Sequence, residues 1–116
     1  MTDPILDPSR LDRLERLGGR ALVTEMIDTF VAAATARRAA LQQALAIGDL
    51  VELANGAHTI VAGAGQLGAT TLSTEARAVE EAARLGDTAT ALGGTPALLA
   101  SYDAALAALA QAREAR

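Results

Sequence analysis

The sequence contains no cysteine, no lysine and no tryptophan, and its only aromatic residues are Phe30 and Tyr102. The absence of cysteine excludes disulfide bonds and thiolate metal sites. Because aromatic side chains are so few, the core must consist of leucine, isoleucine, valine and above all alanine, which is the best helix former. Strand patterns, which alternate β-branched and aromatic residues, are weak throughout. These absences predict an all-α protein.

Charge and hydropathy restrict the partners and the location. The net charge is −4, all ten basic residues are arginines, and no basic cluster along the chain is larger than Arg37-Arg38. We therefore expect neither nucleic acid nor a membrane as a partner. No apolar run approaches the ~20 residues of a membrane-spanning helix, and the first residues, 1–4, lack the features of a signal peptide. A cytoplasmic protein is expected.

The length of 116 residues predicts a single domain, 1–116, and the initial methionine favours a free-standing protein. Asp7-Pro8 has the residue types of a helix start, and Gly18-Gly19 those of a helix end. They bound a short N-terminal helix. Its predicted apolar stripe consists of Leu11, Leu14 and Leu17.

Apolar periodicity and capping residues predict four longer helices after this short one. Their approximate ranges are 20–47, 49–66, 70–85 and 95–116. The glycine- and threonine-rich stretch 86–94 is predicted to be a loop, and Thr95-Pro96 to begin the last helix. Short connections between helices favour antiparallel neighbours. We therefore expect an up-down-up-down four-helix bundle with a short extra N-terminal helix.

The helix predicted at about 49–66 contains three glycines: Gly56, Gly63 and Gly65. Each glycine inside a helix costs up to about 1 kcal/mol relative to alanine. Either a neighbouring helix approaches closely at these positions, or a partner approaches this helix from outside. The chain's only histidine, His58, lies among them.

One row of this helix consists of Val51, Asn55, His58, Ala62 and Gly65. The row is rotated by about 100° from the core position Ala57. His58 is therefore expected at the edge of the core or in solvent, where small neighbours leave its distal ring nitrogen open to attack. A lone surface histidine is most often only a surface residue, so the row by itself does not establish a function.

The segment 57–69, AHTIVAGAGQLGA, resembles the signature of histidine phosphotransfer (Hpt) domains, whose usual form is AHTLKGSAGNLGA. The similarity continues through Val79-Glu80, Ala83-Arg84 and Gly86-Asp87 and covers nearly the whole chain. Hpt domains are four-helix bundles with an exposed phosphoacceptor histidine in the middle of a helix. They pass phosphoryl groups between aspartates of receiver domains in two-component phosphorelays.

The resemblance implies that His58 is the phosphoacceptor, because a neutral imidazole nitrogen can attack an aspartyl phosphate. The implied partners are response-regulator receiver domains and a hybrid histidine kinase. Mg²⁺ would be held by the receiver, so no cofactor is expected in this chain, which would be a monomeric phosphocarrier without independent catalytic activity. The implied partner-binding surface consists of Asn55, Thr59, Ala62, Gly65 and Gln66.

Two positions depart from the signature. The family's lysine three residues after the histidine is Val61 here, and the glycine that follows it is Ala62. A phosphohistidine without a nearby cation is less well stabilised, and only Arg77 and Arg84 are near enough to replace the lysine. We expect both arginines to be solvated or paired with glutamates of their own helix. Two alternatives stay open: a degenerate module that binds receivers or kinases without carrying phosphate, and an unrelated helical interaction protein.

Overall fold

A computed structural model describes residues 5–116. It contains four helices: α1 (Pro8–Ile47), α2 (Leu50–Gln66), α3 (Thr70–Arg84) and α4 (Thr88–Ala115). Each helix packs against the next, α4 packs against α1, and α2 and α4 lie on the diagonal. This arrangement confirms the predicted four-helix bundle. Residues 1–4, on which the expectation of no signal peptide was based, lie outside the described residues.

The N-terminal part of α1 is the predicted short helix. Asp7 accepts a hydrogen bond of 3.0 Å from the backbone N–H of Ser9 at its start, and Gly19, at φ 75° and ψ −177°, breaks the helix before the long segment begins. Leu11 is buried as predicted, but Leu17 is 72% exposed. Six residues separate the two, so Leu17 is rotated by about 120° from Leu11 and points away from the bundle.

The core is built largely from small side chains, and eleven of its buried residues are alanines. The two aromatic rings, Phe30 of α1 and Tyr102 of α4, pack against each other with their centroids 5.7 Å apart. Small core residues allow the helix backbones to approach closely, as the composition predicted. Within residues 5–116, no helix is long and apolar enough to span a membrane.

Close packing against α1 explains two of the three glycines in α2. A Cβ atom at Gly56 would lie 3.1 Å from Cδ2 of Leu41, and one at Gly63 would lie 3.1 Å from Cδ2 of Phe30. At Gly65 the nearest atom would be the Ser73 hydroxyl oxygen, at 3.7 Å, which is an ordinary contact. The packing of neighbouring helices therefore accounts for Gly56 and Gly63 but not for Gly65.

The loop predicted at 86–94 is wrong, because α4 begins at the residue after Asp87. The Asp87 carboxylate accepts a hydrogen bond of 3.2 Å from the backbone N–H of Thr90 and caps the new helix. A Cβ atom at Gly94 would lie 3.3 Å from Cγ2 of Val79. Glycine at this position thus permits close contact between α3 and α4. Pro96, which was predicted to start the helix, lies inside it.

Candidate functional site

His58 lies in the middle of α2, on the outer surface of the bundle. Its side chain is 67% exposed, in agreement with the position predicted from the helical row. The helix that carries it is well defined at its start, where Asp49 accepts a hydrogen bond of 3.1 Å from the backbone N–H of Glu52. The imidazole is therefore presented on a rigid element rather than on a loop.

A carboxylate from the neighbouring helix contacts one nitrogen of the imidazole. Nδ1 of His58 lies 2.8 Å from Oε2 of Glu80 in α3. The same oxygen accepts a hydrogen bond of 3.0 Å from Nε of Arg84, whose Nη2 lies 2.9 Å away. One glutamate oxygen thus joins the histidine to an arginine, and the Glu80 side chain is only 14% exposed.

The environment keeps Glu80 ionised. Burial of the carboxylate acts against its charged form, but the hydrogen bonds from Arg84 and His58 outweigh that effect and hold the pKa of Glu80 below its ordinary value. An ionised carboxylate can only accept hydrogen bonds, so Nδ1 of His58 must carry the proton. In the neutral ring the lone pair is then on Nε2, the distal nitrogen, which makes Nε2 the nucleophilic atom.

The structure brings the predicted partner-binding residues together around His58. Four of them are exposed and one is half-buried; they are Asn55, Thr59, Ala62, Gln66 and, half-buried, Gly65. Thr59 and Gln66 line a groove of about 360 Å³ between α1 and α2. Asn55 lines a second groove, of about 320 Å³, between α2 and α3. Grooves therefore run along both sides of α2, the helix that carries the imidazole.

No cation occupies position 61, where the family signature has lysine. Val61 is half-buried and packs against the core, and its carbonyl accepts a hydrogen bond of 3.1 Å from the Ser73 hydroxyl. Arg84 is paired with a glutamate of its own helix, as expected. Arg77 is exposed, belongs to the same row of α3 as Ser73 and Glu80, and has no ion pair within residues 5–116.

The sequence did not reveal Glu80 as the partner of His58. The two residues are 22 positions apart, and their contact depends on how α3 is aligned against α2. From the sequence, Glu80 was only one of several glutamates that could pair with an arginine. The pattern that could have identified it is the antiparallel register of the two helices, which the short turn between Gln66 and Thr70 fixes.

Comparison with known proteins agrees with this geometry. Residues 25–113 match the family model described as Hpt domain, whereas a search of the curated proteins finds no match. Among solved structures, histidine-containing phosphotransfer protein B (HptB) from Pseudomonas aeruginosa PAO1 is similar over 99% of both chains, with a TM-score of 0.87 and 26% sequence identity. The reading as an unrelated helical interaction protein is therefore wrong. The chain belongs to the Hpt domain family and acts in histidine phosphotransfer within a phosphorelay.

Proposed function

We propose that Nε2 of His58 carries the phosphoryl group and passes it between aspartates of receiver domains. The contact of 2.8 Å between Nδ1 and Glu80 carries this proposal, because it holds the single proton of the neutral ring on Nδ1 and so leaves the lone pair on the exposed Nε2. In the forward step, the Nε2 lone pair forms a bond to phosphorus. The bond from phosphorus to the aspartyl oxygen breaks, and the aspartate leaves as a carboxylate.

Glu80 also stabilises the product of that step. Once Nε2 is bonded to phosphorus and Nδ1 keeps its proton, the ring is positively charged. The ionised carboxylate 2.8 Å from Nδ1 balances this charge, and a charge-assisted hydrogen bond is stronger than a neutral one. In the reverse step the ring becomes neutral again as phosphorus moves to the next aspartate. Glu80 is thus a positioning residue that acts through His58.

Arg84 and Arg77 are proposed to replace the missing lysine. Arg84 is held 2.9 Å from the same carboxylate oxygen that contacts the imidazole, and half of its side chain is exposed (52%). Arg77 lies on the same row of α3, one turn before Glu80 and about two turns before Arg84. Either guanidinium can offer several N–H groups to phosphoryl oxygens. Two flexible cations on α3 would therefore compensate for Val61 on α2.

The partner supplies the remaining chemistry in this proposal. The receiver, rather than this chain, holds Mg²⁺ next to its phosphorylated aspartate, so the chain is a phosphocarrier without an activity or a cofactor of its own. A receiver docks around His58, on α2 and the grooves beside it, where Asn55, Thr59, Gly65 and Gln66 lie. A hybrid histidine kinase is the proposed source of the phosphoryl group, and the protein acts as a monomer.

The test is phosphoryl transfer from a receiver charged with acetyl phosphate. We expect an acid-labile phosphate on the wild-type protein and none on His58→Gln. A wild-type protein that stays unlabelled beside a competent receiver would contradict the proposal. If that unlabelled protein still binds the receiver, the degenerate module that binds without carrying phosphate is the correct reading.

Access to Nε2 is tested at Ala62, which is exposed one turn from His58. Ala62→Leu is expected to reduce transfer strongly, because a branched side chain at this position blocks the approach of the receiver. Ala62→Ser is the matched control and should transfer normally. Thermal unfolding of all three proteins separates a blocked site from a damaged fold.

A further inference from the structure

A cluster of arginines lies on the short N-terminal part of α1. Four of the ten arginines occur within residues 8–20, and all four are exposed: Arg10, Arg13 and Arg16 on the short helix, and Arg20 just after its break at Gly19. Along the chain they are three or four residues apart, so the sequence appeared to have no basic cluster beyond Arg37-Arg38. On a helix this spacing gathers the side chains on one side. The expectation from the sequence concerned neighbours along the chain, whereas this grouping exists only on the helix.

The two acidic residues of this segment do not neutralise its arginines. Arg116, at the end of the chain, lies 2.8 Å from the Asp12 carboxylate and 3.3 Å from that of Glu15. Within residues 5–116, Arg13 and Arg16 have no ion pair. Outside residues 8–20 the chain has six arginines and twelve carboxylates. Even with the N-cap Asp7 included, which lies close enough to Arg10 for the two charges to interact, residues 7–20 hold four arginines against three carboxylates.

Three of these arginines, Arg10, Arg13 and Arg16, follow one another at a spacing of three residues and form a strip along the short helix. Asp12 and Glu15 are turned towards the end of α4, where Arg116 pairs with both, and Arg10 and Arg13 project at least about 100° away from them around the helix. We call the surface formed by Arg10, Arg13 and Arg16 the basic flank.

A direct contact connects the basic flank to the end of α2. The side-chain carbons Cβ and Cγ of Arg10 lie 3.0 and 3.2 Å from the position that a Cβ atom at Gly68 would occupy. Gly68 follows α2 and is ten residues after His58, which corresponds to about 15 Å along a helix. The basic flank therefore lies close enough to His58 for one docked domain to touch both.

Apolar surface continues from the basic flank towards the histidine. Leu17 is 72% exposed beside the arginines, and Leu22, shortly after the break at Gly19, lines the groove between α1 and α2. Thr59, next to His58, lines the same groove. Leu17 and Leu22 thus lie, along the chain, between the basic flank and the groove that Thr59 lines.

We propose that the basic flank is an electrostatic docking surface for the acidic face of the receiver. In this partner, carboxylates that bind Mg²⁺ surround the phosphoaccepting aspartate. This inference rests on the proposed function, which requires such a partner. The rest of the chain is acidic and repels the same face, so attraction at one end both speeds the encounter and orients it. The surface adds to the rate of association rather than to the chemistry at Nε2.

The test compares two double variants with the same change in net charge. The flank variant, Arg13→Gln/Arg16→Gln, removes charge from the basic flank. The control variant, Arg38→Gln/Arg113→Gln, removes charge from the contact of α1 with α4. There Arg38 pairs with Asp103, and Arg113 pairs with Asp28. The association rate with a beryllofluoride-activated receiver is measured by stopped-flow fluorescence at low and high salt. Phosphoryl transfer at saturating receiver is measured separately.

We expect the flank variant to associate roughly three- to tenfold more slowly at low salt, with a weaker dependence on salt, because steering by charge is screened. Its transfer rate at saturating receiver should equal that of the wild type, and the control variant should associate normally. The inference would be overturned if the flank variant associated with the receiver at the wild-type rate, or if the association rate of the control variant fell by the same factor. Wild-type protein that associates with the receiver but takes up no phosphate would contradict only the proposed function.

Discussion

At the scale of single residues, the contact between His58 and Glu80 gives the two ring nitrogens different roles. Nδ1 faces a carboxylate that is 14% exposed, while the imidazole as a whole is 67% exposed. The sequence could predict the exposed position of His58, because that follows from helical periodicity within 17 residues of one helix. It could not predict the partner of Nδ1, because that depends on the register of two helices.

Replacing Glu80 tests its positioning role. Glu80→Gln keeps the size of the side chain but replaces a charge-assisted hydrogen bond with a neutral one, which is weaker by roughly 1 kcal/mol. We expect phosphorylation of His58 to slow by about fivefold while the fold is retained. Rates of transfer from a charged receiver provide the measurement.

Glu81→Gln is the matched control for this prediction, since Glu81 is an exposed neighbour in the same helix and loses the same charge. It should transfer at the wild-type rate. Equal rates for Glu80→Gln and wild type would show that the carboxylate does not position the imidazole.

A second prediction at the scale of residues concerns the free energy of unfolding after substitution of Gly65 and Gly68. Gly65→Ala should raise the free energy of unfolding by up to about 1 kcal/mol, because alanine is the better helix former and the nearest atom to the added Cβ would be 3.7 Å away. Gly68→Ala should lower it by roughly 2 kcal/mol or more. Gly68 has φ +81°, and a Cβ atom there would lie 2.6 Å from the Asp7 carbonyl oxygen.

Urea unfolding of the two glycine variants measures both effects with the same chemical change. Destabilisation by Gly65→Ala would mean that α2 is more tightly packed at this position than the structure shows. Helix packing does not explain why residue 65 is glycine. If the Gly65→Ala protein is stable but no longer receives phosphate, the receiver approaches the helix at this position.

At the scale of helices, the reliable signals were the capping residues at Asp7 and Asp49, where acidic side chains precede strongly periodic segments. The start of α4 was missed because two glycines suggested a loop. One of them, Gly94, instead accommodates Val79 of α3, and a contact between distant helices leaves no signal in the local sequence. The basic flank was missed for a similar reason, since its arginines are neighbours on the helix but not in the chain.

Removing the cap of α4 tests the corrected start of that helix. Asp87→Ala removes the side chain that accepts a hydrogen bond from the Thr90 backbone N–H and should lower the free energy of unfolding by about 1 kcal/mol. Hydrogen exchange should show faster exchange confined to the first turns of α4. Asp87→Asn, which can still cap, should behave nearly like wild type. Unchanged exchange in Asp87→Ala would show that packing alone maintains this end of the helix.

At the scale of the whole molecule, the absences in the sequence were sufficient to predict the class of fold. A chain without cysteine and nearly without aromatic residues has to bury alanine and leucine, and the four helices do so. What composition could not show is how the first and last helices are joined. Besides the packing of Phe30 against Tyr102, exposed ion pairs join them, including Arg38 with Asp103 at 2.7 Å and Arg113 with Asp28 at 2.6 Å.

These pairs predict how stability depends on pH. Hydrogen bonds from Arg113 and Arg38 hold the pKa values of Asp28 and Asp103, respectively, below their ordinary range. A lowered pKa in the folded state means that the stabilisation is present at pH values above about 4 and is lost as pH falls through the lowered pKa. Between pH 5 and 3, the wild type should therefore lose stability more steeply than Asp28→Asn/Asp103→Asn in urea unfolding. Parallel curves for the two proteins would contradict this account.

The most direct test of the central claim is to identify the phosphorylated atom. The protein is labelled with ¹⁵N in its single histidine, phosphorylated by a charged receiver, and examined by NMR for coupling between phosphorus and the ring nitrogens. We predict a bond from phosphorus to Nε2 of His58, with Nδ1 still protonated and hydrogen-bonded to Glu80. Phosphorus on Nδ1, or on any residue other than His58, would contradict the proposed mechanism.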